Sequence, residues 1–257
     1  MKKLILSSRI HTILQEEGQP SGYISNRGFV LVEGGTIVKE NKLVEIVEIA
    51  TPVEKSASET FRELTDLLPA KLYHPIKVHG LESTFVHRPS VDRVNVIFSG
   101  LMSIFPTLAG TSLLDIGSCY GYMSLSFDAC GMDVTGIESE ERTVAISKLT
   151  GTLLKSSASF LHDDILSYLS TTANTFDVVI MARVIHSMIE REPSLSVRQI
   201  IKAVSSLAKK VLIVSYPIER IPPVKDPISD FTSWGNFAKV ERIGVPGPSH
   251  WVLLCQK

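Results

Sequence analysis

The sequence predicts an open α/β fold, in which strands and helices alternate to build a mostly parallel sheet behind a small β-rich region at the amino end. Three observations predict it. Residues 113–121, Leu-Leu-Asp-Ile-Gly-Ser-Cys-Tyr-Gly, read as a buried strand that ends at an acid and turns through two glycines into a helix. Residues 132–138 read as a second apolar strand, again ending in an acid. Residues 176–182, Phe-Asp-Val-Val-Ile-Met-Ala, are nearly all apolar, as a central parallel strand covered on both faces should be.

The elements follow in order. Residues 28–33 suit a strand, Gly34-Gly35 a hairpin turn and residues 36–40 the returning strand. Residues 43–49 alternate apolar and acidic positions, as a half-buried strand does, so a small β-meander is expected. Residues 56–68 read as a short helix. Residues 69–90 carry Pro69, Pro75 and Pro89 with His74, His79 and His87 and read as irregular. The spacing of these histidines matches no familiar ligand pattern, so they are taken as loop residues and no metal is expected. An amphipathic helix over 90–104 then leads into the main fold. The chain thus divides into an accessory or cap region, 1–89, and a principal domain, 90–257.

Within the principal domain, Gly117 and Gly121 let the backbone turn sharply and approach a ligand, because glycine has no Cβ. The helix that follows presents free N–H groups suited to an anion. Asp115 adds an acceptor. Glu138 lies about 20 residues beyond the turn, where a carboxylate can bond both hydroxyls of a ribose. Residues 142–154 suit a helix with Val144, Ala145, Leu149 and Leu153 on its apolar positions. Residues 159–166 suit a third strand and its exit, 196–207 a helix, and 210–217 a further strand.

This series resembles the class I S-adenosylmethionine-dependent methyltransferases of the small-molecule type. Their glycine motif has the form acidic-x-Gly-x-Gly-x-Gly. Asp115, Gly117 and Gly121 match it, and Cys119 stands at the middle glycine. The resemblance covers residues 90–257. It implies a Rossmann-like, seven-stranded sheet, with residues 237–244 and 251–256 as its terminal antiparallel hairpin. It assigns cofactor binding to Asp115, Gly117, Ser118, Cys119, Tyr120 and Gly121 in the first turn, and to Glu138 and Ser139 after the second strand. Asp163, Asp164 and Ile165 follow the third strand, and Ala182 the fourth. Asp115 and the Gly117 turn would hold the methionine end, and Glu138 the ribose. Asp164, with Asp163 as second choice, would accept from the adenine amino group; both acids could instead cap the next helix.

The segment after the fourth strand, Arg183-Val-Ile-His-Ser-Met188, would face the transferred methyl group. It lacks an Asn-Pro-Pro-Tyr or Asp-Pro-Pro-Tyr motif, a Pro-Cys nucleophile and an acidic metal cluster. It resembles the Val-Leu-His-His stretch of small-molecule enzymes. His186 is the candidate general base, with a loop-ordering role as the alternative. Arg183 reads as one half of a surface ion pair, with anion binding as the alternative. Tyr120, Tyr122 and Trp234 are candidates to line the acceptor pocket. The proline-rich residues 218–230 would form a stiff lid or wall at the carboxyl edge of the sheet.

The reaction expected is methyl transfer to an oxygen or nitrogen of a small metabolite or sugar-like acceptor. The alternatives are a non-catalytic cofactor-binding scaffold and an NAD-dependent oxidoreductase. The second suffers because Gly117 and Gly121 do not form Gly-x-Gly-x-x-Gly. A net charge of −1 gives no basic field for nucleic acid. Three widely spaced cysteines suit a reducing compartment. With no apolar run long enough for a membrane, and a signal-like start interrupted by Arg9 and His11, a cytoplasmic protein is expected. Residues 1–89 would act as a substrate cap or as a homodimer surface.

Overall fold

The computed structural model describes residues 21–25, 28–30, 36–37, 55–76, 78, 89–217, 226–244 and 250–257. At the amino end, β1 (Ser21–Ser25) pairs antiparallel with β2 (Gly28–Val30) and parallel with β3 (Thr36–Ile37). The strand order is therefore β2-β1-β3, not the expected hairpin of residues 28–33 with 36–40. The reason is β1, whose short Ser-Gly-Tyr-Ile-Ser sequence gives no apolar alternation, yet which takes the place between the two. Gly34, Gly35 and the strand expected at 43–49 lie outside the described residues, as do His79 and His87.

Helices α1 (Lys55–Leu67) and α2 (Pro89–Met102) precede the main sheet. The sheet's strands and intervening helices run β4 (Ser112–Ile116), α3 (Tyr122–Asp128), β5 (Asp133–Glu138), α4 (Glu141–Leu153), β6 (Ser159–His162), α5 (Ile165–Thr171), β7 (Phe176–Ala182), α6 (Ile185–Arg191), α7 (Val197–Leu207), β8 (Ala208–Pro217), α8 (Pro227–Gly235), β9 (Lys239–Arg242) and β10 (His250–Gln256). The order across the sheet is β6-β5-β4-β7-β8-β10-β9. Strands β4 to β8 pair parallel, and β10 pairs antiparallel with both β8 and β9, so the expected terminal antiparallel pair is present. The chain steps outward from β4 to β6 and then crosses back to β7 on the other side of β4. Ligands bind at such a reversal, beyond the carboxyl ends of the strands.

Two apolar layers cover the sheet. Alternate residues Val178, Ile180, Val211 and Ile213 pack with Val94, Ile97 and Leu101 of α2 and Phe127 of α3. Val179, Met181, Leu212 and Val214 face the other way, against Ile200, Ile201 and Val204 of α7 and Phe231 of α8. Ser196 and Gln199 close a reciprocal capping box at the start of α7. At the amino edge, Asp177 Oδ2 accepts from the Ser112 N–H at 3.2 Å and its hydroxyl at 2.9 Å, while Oδ1 pairs with Lys210 at 3.0 Å, tying β4, β7 and β8 together.

Helix α1 lies against α4. Leu64, Leu72, Ile76 and Val78 form a cluster with Ile146, flanked by Phe61, Leu149 and Leu153. Arg142 donates from Nε at 2.9 Å and from Nη2 at 2.7 Å to the Leu67 carbonyl, a cation at the negative end of α1. The proline-rich stretch does not run as one loop: Asp226 caps α8 by accepting from the N–H groups of Ile228 and Ser229, and Pro227 opens the helix. Residues 218–225 of the expected lid lie outside the described residues. Among the described residues, no helix is long and apolar enough to cross a membrane.

Candidate functional site

The glycine turn is fixed by backbone bonds before any ligand is considered. The N–H groups of Gly117 and Ser118 both donate to the Ile137 carbonyl, at 2.8 and 3.0 Å, which binds the exit of β4 to the end of β5. Gly117 has φ 70°, and a Cβ there would lie 2.5 Å from a Val184 methyl. Gly121 has φ 75° and forms the N-cap of α3; a Cβ there would meet the Phe160 ring at 2.9 Å. Both positions need glycine for conformation and for space. Cys119, where a third glycine was expected, still adopts φ 50°. Its N–H donates to Glu138 Oε2 at 3.1 Å and its carbonyl accepts from the Ser147 hydroxyl at 2.8 Å. These two bonds hold a side-chain-bearing residue in a backbone state that costs it about 1–2 kcal/mol.

The two strand-end acids behave differently. Strand β4 runs one residue past Asp115, to Ile116, and Asp115 is 2 % exposed. Its Oδ2 accepts from the Ser124 hydroxyl of α3 at 2.6 Å. Burial pushes its carboxyl up to about 6, against the opposing Ser124 bond. Glu138 is the last residue of β5. Its Oε1 accepts from the N–H groups of Ser139 at 2.7 Å and Glu140 at 3.2 Å and from the Ser139 hydroxyl at 3.2 Å. Among the described residues, Oε2 accepts from Cys119 N–H and from no other donor, so it keeps acceptor capacity.

A cavity of about 540 Å³ opens at this edge, well within the range of small-molecule sites, roughly 300–1,000 Å³. Of the residues expected to bind a cofactor, Gly117, Cys119, Glu138, Ser139, Asp163, Ile165 and Ala182 line it, and so does His186. Asp115, Ser118, Tyr120, Gly121 and Asp164 do not. Gly121 shapes the turn from behind, and Tyr120 packs with the α1–α4 cluster. Ser118 is 3 % exposed and directed toward Gly136. Asp164 accepts from the Leu166 N–H at 2.9 Å as the N-cap of α5, and pairs with Arg191 of α6. Its neighbour Asp163, whose N–H donates to the Glu138 carbonyl at 3.1 Å, is the acid that reaches the cavity.

The opposite wall brings residues that sequence reasoning did not single out. Tyr73 and His74 line it, stacked with ring centroids 4.6 Å apart. His74 also meets the Tyr122 ring edge-on at 6.2 Å. The expectation that Tyr122 and Trp234 line the pocket is not met: Tyr122 is 3 % exposed inside the α2–α3 layer, and Trp234 packs beside Phe231 on the far face. Arg183 lines the cavity with φ 62°, its N–H donating to the Ser215 carbonyl at 3.2 Å. The surface ion pair expected of Arg183 is formed with no carboxylate among the described residues, because its half-buried side chain is drawn over the cavity rather than to the surface. Beneath it, on α2, Arg93 is 3 % exposed. Burial pulls its guanidinium down to about 10, with Tyr73 opposing the shift and Arg183 adding to it. One signal could have revealed Arg93: it precedes Ile97 and Leu101 by four and eight residues, on the apolar stripe of its helix.

Residues 114–207 match the family model described as the methyltransferase domain. Over this stretch the chain is similar to that domain. Among solved structures, the chain resembles magnesium protoporphyrin IX methyltransferase from Synechocystis PCC 6803, which was determined with S-adenosylmethionine bound. That structure shares 18 % identity with this chain, covering 79 % of it and 92 % of the other, with a TM-score of 0.53. Monomeric WbdD shares 17 % identity over 76 % of this chain and 48 % of its own, with a TM-score of 0.59. EvdMO1 shares 16 % over 77 % and 47 %, with a TM-score of 0.54. At these identities the likeness is one of fold. The chain spans about half the length of WbdD and of EvdMO1. A search of curated protein sequences finds no match. The matched methyltransferase domain contains the glycine turn, Glu138, Asp163, Arg183 and His186, whereas Tyr73, His74 and Arg93 precede it.

Proposed function

We propose that this chain transfers a methyl group from S-adenosylmethionine to an oxygen or nitrogen of a small-molecule acceptor. The observation that carries the reading is the run of one cavity from the Gly117 turn and Glu138, past Asp163, to Arg183 and His186. When bound, the cofactor supplies a methyl group on a cationic sulfur, already activated for in-line displacement.

The residues present fit that group. Glu138 Oε2 would accept from the ribose, and Asp163 from the adenine amino group, with Ile137 and Ile165 as apolar surface for the ring; all four line the cavity. Asp115 serves this end indirectly by fixing α3 to β4 through Ser124. The methionine carboxylate needs a cation, and Arg93, buried within electrostatic reach of the lining residues Tyr73 and Arg183, would supply one. The acceptor lies against Tyr73, His74 and the first turn of α6. His186, on that turn and lining the cavity, would take the acceptor's proton. Residues 55–78 act as a cap on this half of the pocket.

Calorimetry tests the reading with S-adenosylmethionine, S-adenosylhomocysteine and NAD. Saturable binding of the first two is expected. Binding of NAD alone would replace the reading with an oxidoreductase. In His186→Ala, S-adenosylhomocysteine affinity should stay within about twofold while turnover of an identified acceptor falls about 10²–10⁴-fold. Unchanged turnover would return His186 to a positioning role.

A further inference from the structure

The positive charges of the pocket are unevenly placed. At the adenosine end, Glu138 and Asp163 face the cavity, and Arg191 is already paired with Asp164. At the other end Arg183 lines the cavity, and Arg93, which does not line it, lies buried within electrostatic reach of Arg183 and Tyr73. Among the described residues neither pairs with a carboxylate, and the Nε of each is buried without a hydrogen-bond partner. The Ser215 hydroxyl, one strand over and 1 % exposed, is likewise without a partner among them. Leaving charged donors buried and unmatched is costly, so such a group is ordinarily neutralised by an anion.

The cofactor does not provide enough negative charge. It brings one carboxylate, against an ammonium and a sulfonium of its own. Its carboxylate can match one guanidinium, and its sulfonium adds a further positive charge beside the other. Arg93 is the more deeply buried of the two, behind the wall. Arg183 lines the cavity, and its backbone is held in a left-handed state by the bond to Ser215. A strained backbone that aims a charged side chain into a pocket points to a ligand contact.

We propose that Arg183 is the recognition group for an acidic acceptor, one that carries a carboxylate or phosphate beside the atom to be methylated. The inference rests on the methyl-transfer reading and adds the acceptor's chemical class. It also separates the two arginines: Arg93 serves the cofactor, Arg183 the acceptor.

The experiment compares wild type with Arg183→Asn, Arg183→Lys and Arg93→Gln. Asparagine is chosen because it tolerates a positive φ. S-Adenosylhomocysteine affinity is measured by calorimetry. Thermal shifts of the protein loaded with S-adenosylhomocysteine are then read with inorganic phosphate and with acetate, against chloride at equal ionic strength. Transfer of labelled methyl is followed with hydroxybenzoates, sugar phosphates and their uncharged counterparts. Wild type should prefer the acidic members, and the two anion series distinguish carboxylate from phosphate. Arg183→Asn should lower kcat/KM for the preferred acid about 10–100-fold and abolish the anion-induced shift, leaving S-adenosylhomocysteine affinity within about twofold. Arg183→Lys should recover part of the loss, and Arg93→Gln should instead weaken S-adenosylhomocysteine binding. Equal use of uncharged acceptors, or a tenfold loss of S-adenosylhomocysteine affinity in Arg183→Asn, would overturn the proposal while leaving methyl transfer standing. Failure of wild type to bind S-adenosylhomocysteine would overturn the methyl-transfer reading and this inference with it.

Discussion

Asp115 and Glu138 stand near the carboxyl ends of neighbouring parallel strands, yet one is buried and the other lines the cavity. The difference is depth: Asp115 pairs with Gly136, two residues short of Glu138 on the same face of the sheet. β4 continues to Ile116, and the Asp115 side chain lies under α3, where Ser124 satisfies it. β5 stops at Glu138, whose carboxylate gathers the N–H groups of Cys119, Ser139 and Glu140 at the cavity's edge. On one face, two residues of depth decide whether an acid lies under a helix or reaches the cavity at the carboxyl edge.

The Gly117 turn separates the two acids, and altering it should have the largest effect. Gly117→Ala introduces a Cβ at φ 70° and within 2.5 Å of Val184. Adding the conformational and overpacking costs gives a destabilisation of about 2–5 kcal/mol, measurable by urea unfolding. Pairing it with Val184→Ala should return the overpacking part. Glu138→Ala comes next: S-adenosylhomocysteine affinity should fall by about 2 kcal/mol, roughly thirtyfold, in calorimetry. An unaltered affinity would erase the contrast between the two acids.

Asp115→Asn sharpens the contrast through pH. The folded carboxyl titrates at about 6, above its ordinary 3.8. A raised pKa means that the folded state favours the protonated acid. The stability it contributes is complete below the ordinary value and is lost as pH rises through about 6. Wild type should therefore lose about 1–2 kcal/mol relative to Asp115→Asn between pH 5 and pH 8, read from urea midpoints at the two values. A constant difference would mean that Asp115 does not titrate in this range. Cys119→Gly has the smallest expected effect. It relieves the left-handed backbone and should stabilise the fold by at most about 1 kcal/mol, with Glu138 still bound to the residue 119 N–H.

The contrast also marks what the sequence could reveal. β7 coincides with the apolar run at 176–182, whose continuity marks a strand covered on both faces, and α4 lies within a residue of its expected bounds, although its buried face runs through Thr143, Ser147 and Thr150 as well as Val144 and Ile146. α8 was read as loop because its prolines dominated the pattern, although Asp226 followed by Pro227 is a helix start. In the site, the glycine turn and Glu138 were legible, since backbone geometry restricts residue type there. The choice of Asp163 over Asp164 was not, because adjacent acids differ only in the direction set by the cap of α5. Tyr73 and His74 come from a segment upstream of the motifs, and only folding brings them to the pocket.

The packing of α1 on α4 has a consequence for how the chain is made. On the ribosome, Leu64, Leu72, Ile76 and Val78 emerge well before Ile146, the residue that completes their cluster. At about 5–20 residues per second, the intervening roughly seventy residues take several seconds to synthesise. During that interval the nascent segment displays an apolar face awaiting its cover, and α4 arrives together with the first half of the sheet. Closure of the α1–α4 cluster therefore waits on translation of α4.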